Sequence, residues 1–159
     1  MNSTNRTTAI NDTYALFESH IREGFKLLKI KPLSIVAEIK YVDLPIPSTP
    51  LEELELEVEF PGATCLIHFA QSTVDTYIFF SLVEFNRQGQ RSLSLDNYLA
   101  ARKDQRKEYL SFKDTEFTLE EGISRIVKVL VELFNNDKLY NLLAGLTWIT
   151  APVDWEGYK

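Results

Sequence analysis

The chain is poor in the residues that do most covalent and metal chemistry. Its 159 residues include one cysteine, Cys65, and two histidines, His20 and His68. A lone cysteine makes no internal disulfide, and zinc sites built on cysteine pairs are excluded with it. The six glycines stand singly, so there is no glycine-rich loop to cradle a phosphate. No apolar run reaches the roughly 18–20 residues of a membrane span. Met1 to Thr13 is polar and lacks the apolar stretch of a secretory signal. The Asn-x-Ser/Thr triplets at Asn2, Asn5 and Asn11 therefore read as a polar lead-in rather than glycosylation sites. A reducing cytoplasm is the expected compartment.

Basic charge is also short. Seventeen Lys and Arg face 23 Asp and Glu, giving a net charge of −6 and a sequence pI near 5.0. Nucleic-acid binding calls for a basic footprint, so DNA and RNA are not expected partners. Anionic membrane surfaces repel such a chain, and basic proteins are its natural partners. The remainder is ordinary globular material, 45% hydrophobic and 25% charged. A chain of this length buries about 68–70% of its unfolded surface and needs no metal or disulfide to hold a core.

The pattern along the chain predicts an α+β fold. Residues 1–12 read as a disordered lead-in, with Asn11 or Asp12 capping a helix. Tyr14, Phe17, Ile21, Phe25 and Leu28 share one face of that helix, and Pro32 stops it. Residues 33–42 alternate as a half-buried strand. Three prolines in 45–50 make the following stretch an extended loop. A second strand covers 53–60. Pro61-Gly62 suits the centre of a type II turn, and a third strand covers 64–70. After a polar turn at 71–75, a fourth strand covers 76–86. Its apolar run Tyr77–Val83 suggests cover on both faces. A turn at 87–90 leads to a fifth strand at 91–95.

Ser94 or Asp96 then caps a helix reaching Leu110 whose middle, 102–108, is wholly polar, so it lies on the surface or is broken. Thr118 and Glu121 form a capping box for a helix with Leu119, Ile123, Ile126, Val127, Leu130, Leu133 and Phe134 as its buried stripe. A short helix, 138–144, ends at Gly145. Short links between the strands favour a five-stranded, mainly antiparallel meander with the C-terminal helices packed on it. Residues 13–149 form one domain and 150–159 a tail.

Charge is unevenly spread along this order. Residues 51–86 hold seven acids and no Lys or Arg. Within them Glu53, Glu55, Glu57 and Glu59 alternate with Leu54, Leu56, Val58 and Phe60. On a pleated strand the four glutamates line one face over about 20 Å. Such a ribbon is a solvated sheet face, a set of cross-strand partners for Lys40 and its neighbours, or a docking surface for a basic protein. Charged surfaces normally mix both signs, so the missing Lys and Arg keep the third reading beside the first two and make these glutamates candidate partner-binding residues. Trp155 and Tyr158, in the tail, either pack back on the core or join that surface, since both residue types are enriched at interfaces.

No catalytic residues and no cofactor are expected. Cys65 and His68, three apart in a strand, point to opposite faces and do not form a nucleophile–base pair. A flat row of glutamates does not converge on a metal ion. In outline, without a shared motif, the chain resembles small acidic α+β binding proteins of bacteria. One such group is the immunity proteins, which neutralise a cognate toxin by covering it. The resemblance implies a non-enzymatic inhibitor of a basic partner such as a toxin. Secretion chaperones, which act as homodimers, are the alternative, together with a dimeric adaptor subunit. Their helix between early and late strands has no counterpart in the expected run of five strands.

Overall fold

The computed structural model describes residues 3–42, 51–73 and 77–149. The predicted 43–50 loop and the proposed tail residues Trp155 and Tyr158 lie outside them. The order is a helix, a six-stranded antiparallel sheet, and further helices between and after its last strands. Helix α1 spans Ser3–Gly24 and runs on into a 3-10 turn, Phe25–Leu27. The expected face is the observed one: Tyr14, Phe17, Ile21, Phe25 and Leu28 are all buried. The helix starts at Ser3, however, upstream of the expected caps at Asn11 and Asp12. Residues 3–12 contain no Pro or Gly, and adding turns to a helix already anchored by packing is inexpensive.

Strands β1 (Ser34–Val42), β2 (Leu51–Glu59), β3 (Thr64–Thr73) and β4 (Tyr77–Asn86) pair in sequence order as antiparallel neighbours. The far edge of β4 is shared. Strand β5 (Leu93–Ser94) pairs with Glu84 and Phe85, and β6 (Ser111–Lys113) pairs with Ile78–Phe80. The sixth strand was not expected. At three residues it is too short for period two to register, and Phe112 is its one buried member. Between β5 and β6 the chain leaves the sheet through α2 (Leu95–Ala101), capped by Ser94, and a 3-10 helix, Gln105–Leu110. The helix predicted to reach Leu110 is therefore broken within its polar middle. Lys103 sits at the break with a φ of 56°.

Period two sorts the sheet's faces. Leu54, Leu56 and Val58, then Cys65, Ile67 and Phe69, then Phe79, Val83 and Phe85 are all buried on one side. Against them lie α1, α3 (Leu119–Phe134) and α4 (Asp137–Ala144). Aromatic rings join the layers. Phe17 stacks on Phe69 with centroids 4.1 Å apart, and Phe134 meets both Phe85 and Phe60. Helix α3 has the predicted capping box: Glu121 N–H donates to Thr118 Oγ1 and Thr118 N–H to Glu121 Oε1, both at 3.2 Å. Its far end is tied to the segment that follows α1 and its 3-10 turn, since Lys29 N–H donates to Asn135 Oδ1 at 2.8 Å.

Two expectations need correction. Strand β4 is not covered on both faces, because Leu82 on its outer side is 46% exposed and Ile78 and Phe80 are only half-buried. The Pro61-Gly62 turn is not type II, since Gly62 lacks the positive φ that turn requires. Gly62 is needed for a different reason. Its N–H donates to Leu143 O at 2.8 Å, and a Cβ there would lie 2.1 Å from Gly145 N and 2.3 Å from Leu142 O. The β2–β3 turn is thus locked against the end of α4, where Gly145 adopts a φ of 82°.

Backbone on both sides leaves the Gly62 contact little room to relax. Gly62→Ala is expected to destabilise the fold by about 2–3 kcal/mol and to lower the melting midpoint by roughly 5–10 °C. An unchanged midpoint in thermal unfolding would show that the turn and α4 are not tightly apposed.

Candidate interaction face

One side of the sheet holds the core. The other carries the acidic row. Register places Glu53, Glu55, Glu57 and Glu59 on the outer face of β2, beside Glu38 of β1 and, two strands away, Glu84 of β4. Next to these six carboxylates lies a mostly apolar zone, Leu66 and Ala70 of β3 with Ile78, Phe80 and Leu82 of β4. No described helix is long and apolar enough to cross a membrane.

The acidic row is partly neutralised from within, as the cross-strand reading expects, so it is not a plate without a counter-ion of its own. Lys40, from β1, pairs with Glu55. Glu55 holds the Lys40 ammonium above its ordinary range by hydrogen bonding and charge, with Glu38 and Glu57 adding to the effect. His68 Nδ1 lies 2.9 Å from Glu53 Oε1 and its Nε2 3.9 Å from Glu55 Oε1. Thr64 donates its hydroxyl to Glu59 at 2.9 Å. That leaves Glu38, Glu57 and Glu84 without a hydrogen-bond or ion-pair partner among the described residues. Glu38 and Glu57 are exposed. Cross-strand pairing with Lys40 was legible, whereas His68 could be paired with Glu53 and Glu55 only once the register was known.

Cys65 and His68 point to opposite sides of β3, as their spacing requires. The Cys65 thiol is fully buried in the core, and burial together with the nearby Glu84 charge pushes its pKa well up. It is held as an unreactive thiol rather than a nucleophile. His20 lies at the margin of α1, 3.6 Å from Glu120. Among the described residues no group of three or more His, Cys, Asp or Glu is placed to hold a metal ion.

Where β5 and β6 leave the middle of β4 without a strand neighbour, a cavity of about 510 Å³ opens beside the outer face. Phe80, Leu82 and Ala100 give it an apolar wall, and Asp96, Lys107 and Glu108 put both charge signs around it. Burial raises the pKa of Asp96, and the charge of Lys107 partly offsets this. Asp104, on the same lip, is the opposite case. Arg106 donates to both its carboxylate oxygens at 2.6–3.2 Å and holds its pKa below the usual carboxylate range. Arg106 also reaches Glu132 of α3 at 2.8 Å, which fixes the lip to the helical layer. Nothing in the periodicity of 95–110 signals this cavity. It exists because the strand ladder is interrupted.

Comparison with protein-family models, with curated proteins and with solved structures gives no match to this chain. Function is therefore argued from the geometry of the face itself.

The two aspartates predict opposite pH behaviour. Asp96 has a raised folded pKa, so its cost is absent below the ordinary aspartate value of 3.8 and grows as pH rises through the folded value. Asp104 has a depressed folded pKa, so its contribution is full above 3.8 and is lost as pH falls through the folded value. Between pH 3 and pH 7 the melting midpoint of Asp96→Asn relative to the parent is expected to rise, and that of Asp104→Asn to fall. Parallel pH profiles for the two variants would contradict the assigned environments.

Proposed function

We propose that this chain is a non-enzymatic protein-binding module that docks a basic partner protein on the open face of its sheet. The observation that carries the reading is the juxtaposition on that face of six carboxylates with a neighbouring apolar zone that includes exposed Leu82. Each zone has a separate physical task. Unpartnered Glu38 and Glu57 speed the approach of a positively charged surface and orient it. Leu66, Phe80 and Leu82 supply apolar area whose removal from water holds the complex once formed. Lys40 shapes the potential without cancelling it, because six acids surround it.

An inhibitor of the immunity kind, covering a basic toxin in a bacterial cytoplasm, is the specific form this reading takes. It is supported by the negative net charge and by a free thiol kept in the core, which suits a reducing compartment. Partner binding is assigned to Glu53, Glu55, Glu57 and Glu59, with Leu82 at the centre of the apolar zone.

The test is comparative capture from lysate of the source cells at low salt, followed by kinetics with the retained protein. The parent chain is expected to retain a basic protein that elutes as salt rises. Changing Glu53, Glu55, Glu57 and Glu59 together to Gln is expected to slow association by about tenfold or more at low salt and to flatten its salt dependence. Leu82→Asp is expected to speed dissociation instead. Equal on-rates for the parent and the four-fold Gln variant would rule out acidic docking.

A further inference from the structure

Strand β1 ends the sheet, and no described strand pairs with its outer side. It is nine residues long and contains no proline. Long edge strands invite pairing with another chain unless they are blunted. Near its start the strand is guarded, because Arg22 Nη2 donates to the Ile35 carbonyl at 3.0 Å. From Val36 to Lys40 no side chain among the described residues bonds to the strand's backbone. Val36 is 55% exposed and Ile39 43%, and Glu38 and Lys40 are exposed too. Beside this stretch a cavity of about 370 Å³ lies between α1 and the edge, with Tyr14, Ala37, Ile39 and Leu54 as its apolar part and Glu18 and Glu38 as its acidic part.

We infer that β1 pairs antiparallel with β1 of a second copy, about a two-fold axis at Ile39, joining the two sheets into one. The register follows from symmetry and charge. A two-fold axis perpendicular to the sheet keeps each side chain on its own face, so directly opposed residues must share a face and the axis must pass through a residue position. An axis at Glu38 opposes Glu38 to its own copy, and one at Lys40 opposes Lys40 to its own copy. An axis at Ile39 places Glu38 opposite Lys40 of the second copy, and Lys40 opposite its Glu38. The other residues of 36–42 carry no charge. Two opposite-charge cross-strand pairs therefore form, and no like charges meet.

Lys40 already pairs with Glu55, and an ammonium has three donors, so it serves both carboxylates. Glu38, unpartnered in the single chain, gains its counter-ion. Ile39 meets Ile39 on the inner side, next to the cavity against α1. The joined sheet presents one continuous outer face with an acidic row on each side of the junction. The net charge of −6 per copy opposes approach at long range, and physiological salt screens it within about 8 Å.

The experiment is sedimentation equilibrium on the chain alone at ~0.15 M salt, so its outcome is separate from partner docking. The parent is expected to dimerise with a dissociation constant of about 10 µM or tighter. Glu38→Lys opposes two lysines in each pair and Lys40→Glu opposes two glutamates. Each variant alone is expected to weaken self-association by about tenfold or more. Mixing the two variants restores both opposite-charge pairs, so an equimolar mixture is expected to form heterodimers about as tightly as the parent dimerises. Both sites are exposed, and circular dichroism is used to verify that both variants are folded. A parent that stays monomeric at ~100 µM overturns the inference. So does a dimer insensitive to either reversal, or a pair of weakened variants that mixing does not rescue.

Discussion

The architecture depends on burying one side of an antiparallel meander and leaving the other open. Along β2 and β3 the inward residues are apolar without exception from Leu54 to Val58 and from Cys65 to Phe69, and all are buried. The helices supply the opposing layer through aromatic contacts such as Phe17 on Phe69 and Phe134 on Phe85. A one-residue slip in register would turn the glutamates into the core and the leucines out to water. The alternation that builds the core is thus the same alternation that gathers six carboxylates on the opposite face. Interior and exterior are not independent features of this chain.

That coupling explains how much was legible beforehand. Strict alternation in 53–60 identified the second strand, its inward residues and its outward glutamates, because period two is unambiguous when one face is wholly apolar and the other wholly charged. The three-and-four spacing of Tyr14 to Leu28 and the Thr118–Glu121 capping box identified the first and third helices for equally local reasons. Where local pattern and tertiary context separate, the reading failed. An apolar run such as Tyr77–Val83 indicates a strand but does not reveal which side is covered. Whether a covering layer exists was decided by where α2 and the 3-10 segment went, and they went to the edge. Gly62 was assigned to a turn type by its neighbour Pro61, whereas it is the approach of α4 that requires a residue without a side chain.

The candidate face shows the same division. Its membership was readable from the alternation of β2, but its electrostatics were not. Lys40 was readable as a cross-strand partner, but its meeting with Glu55 in particular, and the contact of His68 with Glu53, required the register of three strands. The cavity near Asp96 required knowing that β5 and β6 divide the edge of β4 between them. These details alter the functional argument. A uniformly negative plate would attract any cation. A plate with one internal cation at Lys40, a histidine lying against Glu53, free carboxylates at Glu38 and Glu57 and an adjacent apolar zone has shape as well as sign, and specific recognition needs both.

The central claim is that the outer face is open to solvent while the inner face is sealed, and thiol labelling tests it most directly. With native Cys65 replaced by Ala, single cysteines are introduced as Leu82→Cys and Glu57→Cys, and their labelling rates are compared with that of Cys65 in the parent. The account predicts that both outer positions react at close to the rate of an unfolded peptide, while Cys65 is protected by several orders of magnitude until the protein unfolds. Protection at Leu82→Cys and Glu57→Cys equal to that of Cys65, in a folded protein, would contradict it.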